Sequence, residues 1–186
     1  MILFYGRLVF QKGPDLLVEA IPSILNNRWD SKFIFVGEGE MRVYLQNRAN
    51  ELIIREAARF TGWLPRMSLV ELISSADIVC FPSRNEPFGL VLLEAWSAGR
   101  PVVATDVGGF GENIENFVDG VKVYPNSESV AWGICYLLNN KEIMKRIAHK
   151  SLMKVKKFRW NAVAERYVEN YHVALGKKDS SSLMVK

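Results

Sequence analysis

The sequence predicts a doubly wound α/β fold, a parallel sheet of about six strands with helices on both faces. Two observations predict it. Short apolar runs alternate along the chain with amphipathic stretches of helical spacing. Most of the short runs are apolar at successive positions, as strands covered on both faces must be.

The first run, Ile2 to Tyr5, reads as a core strand. A chain that opens in mid-core suggests further protein upstream. Leu16, Leu17, Ala20, Ile21, Ile24 and Leu25 then form a helical stripe, in which Pro22 is expected to kink or strain the helix. Phe33 to Val36 is the second strand and Met41 to Leu52 the second helix. Ala57 to Phe60 follows as a strand, then Ser68 to Ser75 as a helix with Pro65 just ahead. Ile78 to Phe81 leads into a helix at Leu90 to Ala98, closed by Gly99 as a C-cap. Val102 to Thr105 and Val121 to Tyr124 complete the strands. Late helices are expected at about Ser129 to Leu138, Glu142 to Val155 and Trp160 to Leu175. No repeat or linker interrupts the pattern, so the unit is one domain, 1–176, and the polar stretch 177–186 reads as a disordered tail.

Composition excludes little beyond disorder. The 186 residues are 49% hydrophobic and 24% charged, with a net charge of +4. That mild basic excess suits anionic small molecules, a membrane surface or nucleic acid and selects none of them. Cys80 and Cys135 sit in apolar sequence outside any C-x-x-C pair and read as buried, reduced thiols. No zinc-ligand spacing is present, and no apolar run nears the ~18 residues that would span a bilayer.

In doubly wound folds, ligands bind outside the carboxyl ends of the strands, so the chemistry is sought in the loops that follow them. After the first strand comes Gly6-Arg7-Leu8-Val9-Phe10-Gln11-Lys12-Gly13. A guanidinium and an ammonium at one strand end suit a diphosphate, the first as a planar fork and the second as a point charge. A solvated surface loop is the plainer alternative. The loop is not a P-loop, because Gly-Lys-Ser/Thr is absent. After the second strand, Gly37-Glu38-Gly39-Glu40-Met41-Arg42 holds two glycines of a dinucleotide fingerprint, but Arg42 fills the third position and argues against NAD or FAD. A turn and helix start that grazes a ligand is the reading kept.

The most informative stretch runs from Phe81 through Ser83-Arg84-Asn85-Glu86-Pro87-Phe88-Gly89-Leu90-Val91 to Glu94. Pro87 biases Glu86 toward extended backbone. The free amides of Gly89, Leu90 and Val91, at the start of the next helix, form an anion site. Glu94 lies little more than one turn further, a carboxylate in apolar company whose natural partners are paired ribose hydroxyls. After the fifth strand, Val107-Gly108-Gly109-Phe110-Gly111 allows close passage of a ligand or another domain, or is simply a structural turn.

With those residues in view, the chain resembles the C-terminal domain of the family 4 retaining glycosyltransferases. The resemblance runs from Gly6 to about Tyr171. It rests on GRLVFQKG, FVGEGE, FTGWLP, SSADIVCFPSRNEPFGLVLLEAWSAGRPVVATDVGG and the DGV turn. It implies one Rossmann-like half of a GT-B fold, with the N-terminal acceptor domain absent. It also implies transfer of a hexose from a UDP-, GDP- or ADP-sugar to a sugar, polysaccharide or lipid-linked acceptor. By the same resemblance, Arg7 and Lys12, with Gly6 beside them, bind the donor diphosphate and stabilise the leaving group. Glu86 contacts the transferred sugar and stabilises positive charge. Phe88 joins the site, and Gly89, Leu90 and Val91 donate from the backbone. Glu94 binds the ribose, and Trp63 and Leu64 flank the nucleobase. The family generally needs no metal or other cofactor, which agrees with the lack of an Asp-x-Asp motif. The chain alone is expected to bind donor and transfer little.

Other readings stand beside this one: a non-catalytic subunit that completes its cleft with a separate chain, or a GT-B-like enzyme such as a sugar epimerase. His149 and His172 are read as solvated or packed. Lys145, Arg146, Lys150, Lys154, Lys156, Lys157 and Arg159 form a basic run, read as a solvated face, with contact to anionic lipid as the sharper alternative. The location this implies is cytoplasmic, peripheral to the membrane if the lipid contact is real. No aromatic platform accompanies the charge, so nucleic acid is not expected. Trp160, Tyr167 and Tyr171 recur at helical spacing; packing into the core is the reading kept, and the alternative is that some are exposed, because in the family this chain resembles the final helix crosses back to the other domain.

Overall fold

A computed structural model describes residues 1–175; the expected tail at 177–186 lies outside the described residues. Six strands form one sheet: β1 (Ile2–Tyr5), β2 (Phe33–Val36), β3 (Ala58–Gly62), β4 (Ile78–Phe81), β5 (Val102–Thr105) and β6 (Val121–Val123). Every neighbouring pair is parallel, in the order β3-β2-β1-β4-β5-β6. The chain builds outward from β1 to β3, then returns to the other side of β1 and builds outward again. Strand order therefore reverses between β1 and β4, and a crevice opens beyond their carboxyl ends.

Side-chain alternation along each strand feeds two cores. Ile2, Phe4, Phe33, Phe35, Ile78, Cys80 and Val103 point to one face; Leu3, Tyr5, Val36, Val79, Phe81, Val102 and Ala104 point to the other. Helices α1 (Pro14–Asn27) and α2 (Arg42–Glu51) cover the first face, while α3 (Arg66–Ser75), α4 (Leu90–Ser97) and α5 (Gly108–Asn113) cover the second. Helix α6 (Ser127–Asn139) packs beside α1. Helices α7 (Lys141–Lys154) and α8 (Trp160–Ala174) close the described chain.

Most boundaries fall within two residues of those predicted, and the departures have local causes. Helix α1 continues through Pro22. An interior proline costs about 3 kcal/mol, yet Leu17, Val18, Ile21 and Ile24 are all fully buried at about 1.5–3 kcal/mol each. Helix α6 starts at Ser127 because the Asn126 side chain accepts from the Ser129 amide at 2.7 Å. Helix α4 ends in a Schellman motif: Gly99 N–H donates to Trp96 O and Arg100 N–H to Ala95 O, both at 3.0 Å.

Three expectations are corrected. Cys80 is buried, and burial pushes its thiol well above the ordinary range, but Cys135 is only half-buried. Trp160, Tyr167 and Tyr171 do not join the core: α8 buries no residue, and Trp160 is 86% exposed. Their spacing makes a stripe, but α1 to α7 and the turn after α7 already cover the two cores. Lys154 is not a solvated cation. Its ammonium bonds the buried Asp119 carboxylate at 2.6 Å, donates to the Asn113 carbonyl and lies 5.3 Å from the Trp96 ring centroid. Asp119 also accepts from the Glu115 amide at 2.9 Å, so one carboxylate fastens the turn before β6 to α7. The other cations of the basic run are exposed, as is His149, and His172 is partly covered. No described helix is long and apolar enough to cross a membrane.

Replacing Asp119 by Ala strands a largely covered ammonium and should destabilise the chain by about 3 kcal/mol. Asp119→Ala/Lys154→Met should recover part of that loss. Urea unfolding of the three chains checks both statements.

Candidate functional site

The crevice between β1 and β4 is built from the two loops that carry the strongest sequence signals. After β1, main chain leaves through Gly6 and Arg7 and tightens into a single 3-10 turn at Phe10–Lys12 before α1. After β4, Pro82 to Gly89 crosses to the start of α4. Lys12 and Glu86, 74 residues apart in sequence, meet here with Nζ to Oε2 at 2.6 Å. The Glu86 side chain is only 9% exposed and that of Lys12 25%. Both charges are thus partly withdrawn from water and satisfy each other. Arg7 is exposed and makes no ion pair among the described residues.

The loops touch through bare backbone. Gly13 adopts φ +63°, and a Cβ there would stand 2.0 Å from the Pro82 carbonyl oxygen. Side chains are excluded both by the left-handed conformation and by that contact. The glycines after β5 serve the same loop from the other side. Gly109 N–H donates to Glu86 O at 2.7 Å, and a Cβ on Gly109 would lie 2.3 Å from Phe88 O. Of the alternatives left open for Val107 to Gly111, the structure shows the structural one: the segment turns into α5 and packs on the chain's own 86–88 backbone. Likewise the Gly37-Glu38-Gly39 turn lies on the β1 loop: Leu8 N–H donates to Glu38 O at 2.8 Å, and Met41 N–H donates to Leu8 O at 3.0 Å.

Gly89 is the N-cap of α4 and supplies no capping side chain. The amides of Leu90 and Val91 have no acceptor within the helix and open toward the crevice end of the sheet. Leu90 is exposed, and Phe88 is half-exposed with its ring edge-on to Phe158. Glu94 is exposed rather than enclosed, since its neighbours Leu92, Ala95 and Trp96 take the buried side of α4. The apolar wall beside it still raises its carboxyl above the ordinary range by desolvation. The Arg66 charge and the Tyr5 hydroxyl oppose that rise. Trp63 and Leu64 follow β3, two strands away from β1; Trp63 is exposed and Leu64 half-buried.

Two contributors were not legible in the sequence. Tyr5, read as plain core, ends β1 beneath α4 and donates its hydroxyl to Val91 O at 2.7 Å. Burial, then the nearby Glu94 charge, pushes its phenol far above the usual range. Arg84 forks onto Asp15, Nη1 to Oδ1 at 2.9 Å and Nη2 to Oδ2 at 2.6 Å, and binds the β4 loop to the start of α1. A polar residue at the apolar end of a strand is a signal for Tyr5. Nothing local marks an arginine and an aspartate 69 residues apart as partners.

Comparison with known proteins places this architecture. The family model described as Glycosyl transferases group 1 matches residues 1–152. An uncharacterized glycosyltransferase of Methanocaldococcus jannaschii is 41% identical over 177 residues, 94% of this chain and 45% of that protein. The glycogen synthase of Mycobacterium tuberculosis is 31% identical over 175 residues, 93% of this chain and 42% of its own length. Among solved structures, Anabaena HepE in complex with UDP superposes with a TM-score of 0.79 at 25% identity, covering 92% of this chain and 48% of HepE. The chain thus spans about half the length of these relatives.

Gly109 separates a packing role from a ligand-passage role. If it makes room for Phe88 O, Gly109→Ala should lower stability by about 1–3 kcal/mol. An unchanged melting temperature would return the glycine to ligand passage.

Proposed function

The chain belongs to the group 1 glycosyl transferase family, and on that premise we propose that it is the donor-binding domain of a retaining family 4 glycosyltransferase. The reaction is transfer of a hexose from a nucleotide-diphosphate sugar to a sugar, polysaccharide or lipid-linked acceptor. The observation that carries this reading is the meeting of Lys12 and Glu86 at 2.6 Å beside the uncapped start of α4. A cation, a carboxylate and free helix amides converge where strand order reverses. That is the equipment for holding a sugar by its hydroxyls while its diphosphate departs.

In the proposed site the donor diphosphate lies against Arg7 and Lys12, with Gly6 allowing close approach and the amides of Gly89, Leu90 and Val91 donating from the helix end. As the bond from the anomeric carbon to the diphosphate oxygen breaks, negative charge grows on the leaving group. These donors stand ready for it without reorganising. Positive charge grows on the sugar ring, and Glu86, fixed by Lys12, faces it and the sugar hydroxyls. Phe88 borders the sugar. Glu94 binds the ribose hydroxyls, its exposure leaving both oxygens free to accept. Trp63 and Leu64 flank the base. No metal or other cofactor is needed, since fixed cations and amides neutralise the diphosphate. A second domain facing this crevice would supply the acceptor contacts. HepE, whose fold this chain shares over half its length, binds UDP, which supports the assignment of a nucleotide ligand.

Calorimetric titration with UDP, GDP, ADP and their glucose and mannose conjugates tests the reading. One nucleotide should bind with equal strength with and without Mg²⁺. Each charge-assisted bond lost should cost about 1.5–3 kcal/mol, so Glu94→Ala and Arg7→Ala/Lys12→Ala should each weaken binding by tenfold or more. Binding that survives both variants unchanged would sink the site assignment.

A further inference from the structure

We propose that Arg84 is a positioning residue that sets the separation of Lys12 and Glu86, with Asp15 as its anchor. Arg84 lies two positions before Glu86 on the β4 loop, and everything it binds lies on the segment that carries Lys12. Its main-chain N–H and that of Asn85 both donate to Gln11 O, at 2.8 and 3.3 Å. Its guanidinium donates through Nη1 to Phe10 O at 2.8 Å and stacks 3.8 Å from the centre of the Phe10 ring. The same group forks onto both Asp15 oxygens in the first turn of α1. The 3-10 turn Phe10–Lys12 is therefore held at both ends, Phe10 before Lys12 and Asp15 after it, by one planar side chain from the opposite loop. Lysine could not replace it, because a point charge cannot span a fork, a carbonyl and a ring face together.

Asp15 does more than hold the fork. Its side chain is 17% exposed and that of Arg84 24%, so the pair is partly desolvated and each member depends on the other. Paired in this way, the guanidinium is directed away from Glu86, and Lys12 is the cation that bonds that carboxylate. Free of Asp15, Arg84 could compete with Lys12 for Glu86 or for an anion in the crevice. The molecule also contains a natural control. Arg48 forks onto Glu19 at 2.5 and 3.1 Å, joining α2 to α1 one turn beyond Asp15 and bonding neither Lys12 nor Glu86. Losing that clamp should loosen packing without touching Lys12 or Glu86.

The inference about ligand affinity rests on the donor-site reading above; the inference about geometry does not. Two measurements on the chain keep them apart. The first is the NMR signal of the Lys12 ammonium, assigned by its loss in Lys12→Ala and its shift in Glu86→Gln. It should disappear or move to the free-lysine position in Arg84→Ala and in Arg84→Lys, and stay unchanged in Arg48→Ala. The second is calorimetric affinity for the nucleoside diphosphate that the wild-type chain binds. Arg84→Ala should weaken it about ten- to a hundredfold through misplacement alone, Arg48→Ala should not, and Arg84→Ala should add little once Lys12 is already Ala. Should Arg84→Ala fail to fold, Asp15→Asn takes its place, keeping the shape while removing the charge of the fork. An unchanged Lys12 signal in Arg84→Ala, or equal losses of affinity in the Arg84 and Arg48 variants, would overturn the proposal. A wild-type chain that binds no nucleotide would overturn the donor-site reading, and the Lys12 signal would then decide the positioning role by itself.

Discussion

The contact between Gly13 and the Pro82 carbonyl is the constraint on which the rest of the crevice depends. At a strand-order reversal, the loops leaving the two central strands diverge and ligands enter the gap. Here the gap is narrowed at its base until a single hydrogen on Gly13 separates two backbones. From that pivot the two loops run side by side, close enough for a lysine side chain to reach a glutamate at 2.6 Å. Widening the pivot by one methyl group would separate the Gln11 carbonyl from the Arg84 amide and the Lys12 ammonium from Glu86 together. The backbone contact thus precedes the charges in the order of causes, and the charges are useful only at the spacing it permits.

The second consequence is electrostatic. A carboxylate only 9% exposed must be paired or become neutral, and Lys12 is its partner. Because an ammonium has three donors, Lys12 can bond Glu86 and keep protons for a further acceptor. Arg7 is exposed and makes no ion pair among the described residues. The two loops therefore carry one cation fixed by an ion pair, Lys12, and one exposed cation, Arg7. A cation already held in place loses little side-chain freedom on meeting a further partner.

The fold was legible because its signals are local: apolar runs for strands, stripes for helices and a glycine at the end of α4. The candidate charges were legible for a related reason, since ligands of such folds bind beyond the carboxyl ends of the strands and Lys12 and Glu86 lie in two of the loops that follow them. The fasteners stayed hidden, because each pairs residues remote in sequence. Arg84 with Asp15 and Lys154 with Asp119 look like surface charges in any short window. Glu94 misled in the other direction: its sequence neighbours are apolar, but in a helix neighbours in sequence point to different sides. The same confusion of spacing with burial produced the error at α8.

That error has a physical reading of its own. An apolar stripe reports that a helix is able to bury one face, and burial needs an uncovered surface within reach. By the end of α7 and the turn after it the described cores are covered, with Ile147 of α7 in one and Val155 and Phe158 packed on the other. Helix α8 consequently leaves Trp160, Tyr167, Val168, Tyr171 and Val173 in solvent, an aromatic surface whose exposure is costly by about 25 cal/mol per Å² of apolar area. The strands show the converse. Phe4, Phe33 and Phe35 are covered because they lie on central strands whose face is packed by α1, α2 and α6. Place in the fold, more than helical or strand spacing, separates the two groups.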